Sequence, residues 1–316
     1  MKIIRLEEKE QFDIAPSVGT IGFFDGLHLG HQYLIRKVIA EASKAQLDTT
    51  IVTFDRHPLE VICPERCPRL LFTLNEKIER LSQMGVKNVV VLPFNKALAA
   101  LTAQDFMTTI LKAQLHIEKL IIGYDNRFGK DRLDRLEDYV ETGKKADIEV
   151  IQNNAFEIKN IKVSSSVIRA YIEKGDLAQA NFCLNRPYSL HGTVVAGYQN
   201  GHKLGFPTAN IKPLNMHKIL PPAGVYAVNV RLETNSLPLN GMLNIGMRPT
   251  FNGQEESIEV HIFDFEGDLY GKVIEIIFFN RIRDEKKFAS HDDLAAQLRY
   301  DKKQIIDFFQ PNKHKK

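Results

Sequence analysis

The sequence predicts an α/β chain of two parts: a doubly wound parallel sheet, then an antiparallel barrel or sandwich with a closing helix. Three observations carry this. The length, 316 residues, suits about two domains at roughly 150 residues each. Before residue 184, short apolar runs alternate with helix-period stretches, the arrangement of βαβ units whose parallel strands are buried on both faces. After it, β-rich runs follow one another without helices. Gly192, Gly197, Gly201, Gly205, Pro207, Pro213, Pro221 and Pro222 crowd into about thirty residues there.

In the first part, strands are expected at Ser17–Phe23, Thr49–Phe54, Lys87–Leu92, Lys119–Gly123 and Ile148–Ile151. Helices are expected near Gly30–Ala45, Leu74–Met84, Thr102–Leu115 and Leu133–Gly143. An open sheet of this kind binds ligands outside the carboxyl ends of its strands, so the segments that follow each strand become candidates. In the second part, strands are expected at Ser189–Ala196, Gly224–Arg231, Asn240–Gly246, Ser257–Phe265 and Lys272–Asn280. His291–Phe309 has a helical period, with Leu294, Leu298, Ile305 and Phe308 available for one apolar face. The boundary falls near Leu184–Tyr188, giving domains 1–184 and 185–316, and no internal repeat joins them.

Composition excludes several classes. The hydrophobic share is 44% and the charged share 26%, which is ordinary for a globular chain and argues against disorder or a fibrous repeat. The net charge is +3, a surplus matched by Lys313, Lys315 and Lys316 in the tail, so no broad basic footprint for nucleic acid is expected. Cys63, Cys67 and Cys183 cannot build a disulfide framework, and with no second pair at zinc spacing they read as packing residues of a reducing compartment. No signal-peptide core and no membrane-spanning apolar run is found, so a soluble cytoplasmic protein is expected.

The stretch Gly22-Phe-Phe-Asp-Gly-Leu-His-Leu-Gly-His31 follows the first strand and opens the first helix. Glycine-rich strand-to-helix turns let backbone N–H groups approach phosphate, and a helix N-terminus favours negative charge. His28 and His31, three residues apart, can project from one side of that start and donate to nucleotide oxygens; either alone reads equally as a cap or a packed ring. Gly123-Tyr-Asp-Asn-Arg-Phe-Gly129 places Asp125, Asn126 and Arg127 directly after another apolar strand. Val163-Ser-Ser-Ser-Val-Ile-Arg169 has the form of a helix start. Its serines, Ser164 to Ser166, can cap the helix or meet a phosphate, and Arg169 follows one turn in.

Gly197-Tyr-Gln-Asn-Gly-His-Lys-Leu-Gly-Phe-Pro-Thr-Ala-Asn-Ile211 is a second glycine-rich string. Thr208 and Asn210, two apart on an extended segment, point to one side. A hydroxyl and an amide oxygen are hard ligands suited to magnesium beside ATP phosphates, although Thr-Ala-Asn by itself reads as a hairpin flank. Glu259 alternates with Ile258, Val260 and Ile262, so it faces away from them; taken alone it reads as a solvated strand carboxylate.

The first cluster resembles the histidine-glycine-histidine superfamily of nucleotidyltransferases. Read with Thr53-Phe-Asp-Arg-His-Pro58 and Leu71-Phe-Thr-Leu-Asn-Glu-Lys77, it is similar to the N-terminal domain of bacterial riboflavin kinase/FAD synthetases. The Gly197–Ile211 string resembles the riboflavin kinase signature of the same family. Pro222-Ala-Gly-Val-Tyr-Ala-Val228, Asn244-Ile-Gly-Met-Arg-Pro-Thr-Phe251, Ile258-Glu-Val-His-Ile-Phe-Asp-Phe265 and Arg281-Ile-Arg-Asp-Glu-Lys-Lys-Phe288 agree with it. Asn126 stands where members usually have an aromatic residue, Leu133 lies near where they have a glycine, and His202 replaces a common arginine.

The resemblance implies an adenylyltransferase domain over 1–184 and a β-barrel riboflavin kinase domain over 185–316. Both would use ATP with magnesium, with riboflavin, FMN and FAD as substrates and products. In the first domain, His28, His31 and Arg169 are the implied catalytic residues, and ATP would be held by Gly22, Phe24, Asp25, Gly26, Gly30, Asp125, Arg127, Ser164, Ser165 and Ser166. In the second, Glu259 is the implied base. ATP would meet Gly201, Lys203, Gly205, Pro207 and Thr208, flavin Asn244, Arg281 and Arg283, and magnesium Thr208 and Asn210. Small molecules are then the partners, with no nucleic acid or membrane, and the chain would be a monomer or weak homo-oligomer. The alternatives are that only one activity is retained, or that the chain is a flavin-binding regulator.

Overall fold

In a computed structural model the chain divides into two compact units, Met1–Ser165 and Ser166–Lys316. All residues are described except 7–13, 125, 132, 134, 155, 159–160, 198–204, 234–235, 251–252 and 311–316, together with the side chains of 248–250 and 253–255. Asp125, Gly201, His202, Lys203 and the tail lysines therefore lie outside the described residues.

The first unit is built on a six-stranded parallel sheet. Its strands are β1 (Lys2–Arg5), β2 (Ser17–Ile21), β3 (Asp48–Phe54), β4 (Asn88–Leu92), β5 (Ile117–Ile122) and β6 (Glu149–Gln152), in the order β1-β4-β3-β2-β5-β6. Every residue of β2 and β4 is buried, which is why these strands read as continuous runs rather than alternating ones. β1 escapes the sequence reading because only Ile4 in it is buried, leaving no pattern to see. The chain steps from β2 to β3 to β4 on one side, then returns to place β5 on the other side of β2. A crevice is expected at such a reversal, outside the carboxyl ends of β2 and β5. After β6, β7 (Glu157–Ile158) and β8 (Ile161–Lys162) pair antiparallel as a separate small ribbon.

Helices cover the sheet. In α1 (Leu29–Ala45), Leu34, Ile35, Val38 and Ala42 are buried at helical spacing. α2 (Pro58–Ile62) starts at the cap His57, whose Nδ1 accepts from Leu59 N. α3 (Leu74–Gln83) starts at a reciprocal box in which Thr73 Oγ1 accepts from Glu76 N at 3.3 Å and the Glu76 carboxylate accepts from Thr73 N at 2.8 Å. The single helix expected at Thr102–Leu115 is instead a short α-helical turn, Ala103–Asp105, running into a π-helical stretch, Phe106–Lys112. Phe106, Met107, Ile110 and Leu111 from it join Val90, Leu92, Leu120 and Ile122 of the sheet in one core.

In the second unit, β9 (Tyr188–Val195), β10 (Ala209–Pro213), β11 (Gly224–Arg231), β12 (Leu239–Thr250), β13 (Gly253–Ile262) and β14 (Val273–Arg283) close into a barrel. The order is β10-β13-β12-β11-β14-β9, with β9 pairing β10. Ser165–Glu173 and Leu177–Leu184 are helices ahead of the barrel. The second belongs with the barrel because Asn181 Nδ2 donates to Phe278 O at 2.9 Å and Asn181 Oδ1 accepts from Tyr188 N at 2.7 Å. The division at 165/166 and the compositional boundary near 184 thus differ by these two helices.

The closing helix, His291–Phe309, begins at the cap Ser290, which accepts from Asp293 N. Leu298, Ile305, Ile306 and Phe309 lie against Val225, Ala227, Met242 and Phe263. Phe308, expected on this face, is 47% exposed. The seam steps four residues from Ile305 to Phe309, whose ring meets Phe279 edge-on at 5.2 Å. Cys183 is buried, Cys63 and Cys67 are half-buried, and all three are free.

Candidate active sites

In the first unit, the turn after β2 is a preformed loop. Phe24 and Leu27 adopt positive φ of 54° and 40° although neither is glycine, and both are buried. This conformation costs a non-glycine residue about 1–2 kcal/mol, so the surroundings must over-determine it. Gly26, at φ 78°, takes the same region without penalty. Asp25 supplies one of the constraints. Its carboxylate, 3% exposed, accepts from Leu71 N at 3.1 Å and Phe72 N at 2.9 Å, and its carbonyl accepts from Ser165 Oγ at 3.0 Å.

The two histidines stand where this turn becomes α1. His28 caps the helix: its Nδ1 accepts from His31 N at 3.3 Å, which puts the proton of the neutral ring on Nε2 as a donor. The rings stack with centroids 3.6 Å apart, and Gly30 lies against the His28 ring. His31 Nδ1 is buried with no hydrogen-bond partner among the described residues. Burial, then the neighbouring His28 and Lys77, hold the His31 imidazole well below its usual range, so it is neutral near pH 7. From the β5 side, the side-chain amide of Asn126 donates to Ile21 O at the end of β2.

In the barrel, strand register assembles the second group. Asn210 on β10 pairs with Glu259 on β13, which pairs with Asn244 on β12, so the three side chains share one face in a row. All three are half-buried, while Ile258 and Val260 on either side of Glu259 are 4% and 1% exposed on the opposite face. Thr208 Oγ1 donates to Glu259 Oε2 at 3.1 Å. A Cβ at Gly197 would lie 2.0 Å from Asn210 Nδ2, so a side chain there would displace the Asn210 amide. Behind Thr208 lies a cavity of about 330 Å³ lined by Pro207, Val194, Val260 and Ile262 and by the turn 265–270. His261, two residues from Glu259, holds the rim. A carbonyl only accepts, so its Nδ1–H donates to Pro207 O at 2.8 Å, while burial pushes its pKa down.

Residues 11–167 match the family described as FAD synthetase, and residues 184–309 match riboflavin kinase. The bifunctional riboflavin kinase/FMN adenylyltransferase of Escherichia coli (strain K12) is 36% identical over 310 residues, 98% of each chain. The protein of the same name from Bacillus subtilis (strain 168) is 36% identical over 302 residues, 93% of each. This chain belongs to the bifunctional riboflavin kinase/FMN adenylyltransferase family. A crystal structure named as a macrolide-efflux protein from Streptococcus pneumoniae is also similar, at 34% identity and a TM-score of 0.87 over 97% of this chain and 99% of that one. Among the described residues here, no helix is long and apolar enough to cross a membrane.

For a riboflavin kinase/FMN adenylyltransferase, the expected residues divide into groups. Gly22, Phe24, Gly26, Gly30, His28 and His31 lie in one turn at the sheet reversal. Asp25, expected at the nucleotide, accepts from two backbone amides through its carboxylate. Arg127 is exposed, and its guanidinium reaches carbonyls of its own loop at Asn126 and Tyr124. Ser164 and Ser165 are half-buried, Ser166 is exposed, and Arg169 lies one turn beyond Ser165 on the same helix. Thr208, Asn210, Glu259 and Asn244 come together, and Pro207 lines the cavity; Gly205 is exposed at φ 77°. Arg283, expected at flavin, is bound by Asp301 of the closing helix through Nε and Nη2 at 2.9 Å each. Arg281 donates to Ala223 O and pairs with Asp284. Lys77 and His261 acquire roles only in the folded chain; their one signal in the residue order is a charged or titratable residue inside a motif with no ligand of its own.

Proposed function

We infer that the chain phosphorylates riboflavin to FMN and adenylylates FMN to FAD, with ATP as donor in both steps. The observation that carries this is the presence, in one chain, of a helix-start histidine pair at a sheet reversal and a carboxylate–amide row beside a nucleotide-sized cavity. We place adenylyl transfer in the first group and phosphoryl transfer in the second.

For adenylyl transfer, an FMN phosphate oxygen attacks the α-phosphorus of ATP and pyrophosphate leaves. A phosphate monoester, with a second pKa of about 6, is ionised near neutrality and needs no base. The protein must hold two anions together and stabilise charge growing on the transferred group. His28, with Nε2–H as donor, the neutral His31 and the turn amides are the groups of the first unit assigned to this.

For phosphoryl transfer, Glu259 accepts the proton of the ribityl hydroxyl, which is a poor nucleophile without it. Thr208, already donating to Glu259, fixes that carboxylate's orientation. The carboxylates of Glu266 and Asp268 beside the cavity repel a triphosphate, so the adenosine end belongs there and the phosphates toward Gly197 and Thr208.

Magnesium fits the donor chemistry of Thr208 and Asn210, a hydroxyl and an amide oxygen next to a carboxylate. No cluster of three or more His, Cys, Asp or Glu able to hold a metal occurs among the described residues, which suits an ion held largely by phosphates and water. When bound there, it would neutralise charge on the transferring phosphoryl group. We further propose that the chain acts in the cytoplasm on these small molecules alone, without nucleic acid, as a monomer or weak homo-oligomer.

The test is incubation of the purified chain with riboflavin, ATP and magnesium, following FMN and FAD by chromatography. Both products are expected. Accumulation of FMN alone, or FAD only from supplied FMN, would leave a single activity, and neither product would leave a flavin-binding regulator.

A further inference from the structure

Two motifs, Thr53–Pro58 and Leu71–Lys77, contribute no group to either proposed reaction, yet they converge on Phe23 in the turn that precedes His28. Thr53 Oγ1 donates to Phe23 O at 3.2 Å and accepts from Lys77 Nζ at 3.1 Å, which fills both roles of one hydroxyl. Lys77 Nζ lies 3.9 Å from the Phe23 ring centroid, and His57 meets that ring edge-on at 4.8 Å. Lys77 and Thr53 are 1% and 0% exposed.

The ammonium is poorly compensated for so deep a position. Among the described residues no carboxylate oxygen lies within ion-pair distance of it. The Asp25 oxygens accept from Leu71 and Phe72 amides, and the Asp55 oxygens accept from Phe94 N and Arg56. A buried cation held by one hydroxyl and one ring face, with Asp25 and Asp55 acting only from beyond ion-pair distance, is disfavoured and gains from a further anion nearby.

We propose that Lys77 is a positioning residue for adenylyl transfer: through Thr53 and Phe23 its ammonium locks the turn that presents His28 and His31, and the phosphates received by that turn complete its charge balance. This rests on the assignment of adenylyl transfer to the first unit. The groups facing Lys77 are Asp25 in the turn, Asp55 after β3, His31 on α1 and, across the Phe23 ring, His57. Burial lowers its pKa to about 7, against the opposing pull of Asp25 and Asp55. Deprotonation of this ammonium predicts an alkaline loss of activity above neutrality, and the Lys77 variants test whether Lys77 is its source.

The full-length chain, its Lys77→Met, Lys77→Arg and Thr53→Val variants are assayed for FAD formation from FMN and ATP, separating kcat from KM between about pH 6.5 and about pH 9. Lys77→Met is expected to lower kcat on the order of 10²-fold and to lose the alkaline limb. Lys77→Arg, permanently charged, keeps more activity than Lys77→Met and also lacks the limb. Thr53→Val loses about tenfold, the worth of one hydrogen bond. FMN formation from riboflavin stays unchanged in all three. A Lys77→Met chain within about twofold of wild type, or one that keeps the limb, overturns the proposal. Should Lys77→Met not fold, an unaffected Thr53→Val overturns it instead. A wild-type chain that makes no FAD overturns the adenylyl-transfer reading and this proposal with it; active wild type with unaffected variants overturns this proposal alone.

Discussion

In the parallel-sheet unit the candidate site hangs on a turn, whereas in the barrel it is a row of side chains across three paired strands. The turn holds two non-glycine residues at positive φ, and buried charged groups, Asp25 and Lys77, brace it from beneath. The barrel row needs no such brace: pairing of Asn210, Glu259 and Asn244 follows from the ladder itself, and the glycine at 197 merely clears space. A site on a turn depends on remote contacts to stay shaped, while a site on strands inherits its geometry from backbone hydrogen bonds that the fold makes anyway. Damage to the first should therefore spread from braces that never touch substrate, and damage to the second should stay with the residues of the row.

The comparison breaks most visibly at Glu259. Glu259→Gln should reduce FMN formation by about 10²–10⁴-fold and leave FAD formation from supplied FMN intact, measured as separate rates; loss of both in a folded chain would mean the sites are not independent. Arg283→Met should leave the buried Asp301 carboxylate with only the Gln297 amide and cost about 3–5 kcal/mol in denaturant unfolding, because Asp301 is 0% exposed. An unchanged midpoint would leave the closing helix held by its apolar seam alone. His28→Ala should slow FAD formation by about 10²–10³-fold with the FMN-forming rate preserved; unchanged FAD formation would remove His28 from the site.

The smallest effect is one of pH. The unfolded chain protonates His31 near about 6.5, while the folded chain does so only well below that value, so below about pH 6.5 the unfolded state binds more protons. Stability present above that pH is then lost as the pH falls toward the folded value. Thermal melting of the wild type against His31→Gln should show a shallower acid slope in the variant, and identical slopes would place the titration elsewhere.

Much of this is legible in the order of residues alone. Continuous apolar runs mark β2 to β5, alternation marks Glu259 as facing away from Ile258 and Val260, and the spacing of His28 and His31 puts both at one helix start. The features that stay hidden share one property, dependence on partners distant in sequence. The sequence points Asp25 at the nucleotide, and only folding shows that its carboxylate also holds the amides of Leu71 and Phe72, 46 and 47 residues away. Lys77 stands in the sequence only as the end of a motif, and folding encloses it between Thr53 and Phe23. The helix Leu177–Leu184 has the pattern of the first part, but Asn181 binds it to the barrel.

By itself, then, the chain's order of residues marked most of the long strands and helices and the short strings that resemble phosphate-binding loops, because periodicity and turn chemistry are local. Only tertiary structure decided which charged groups brace and which are left to react. That choice depends on which donors and acceptors folding brings within about 3 Å of each other, and no local pattern encodes such a distance.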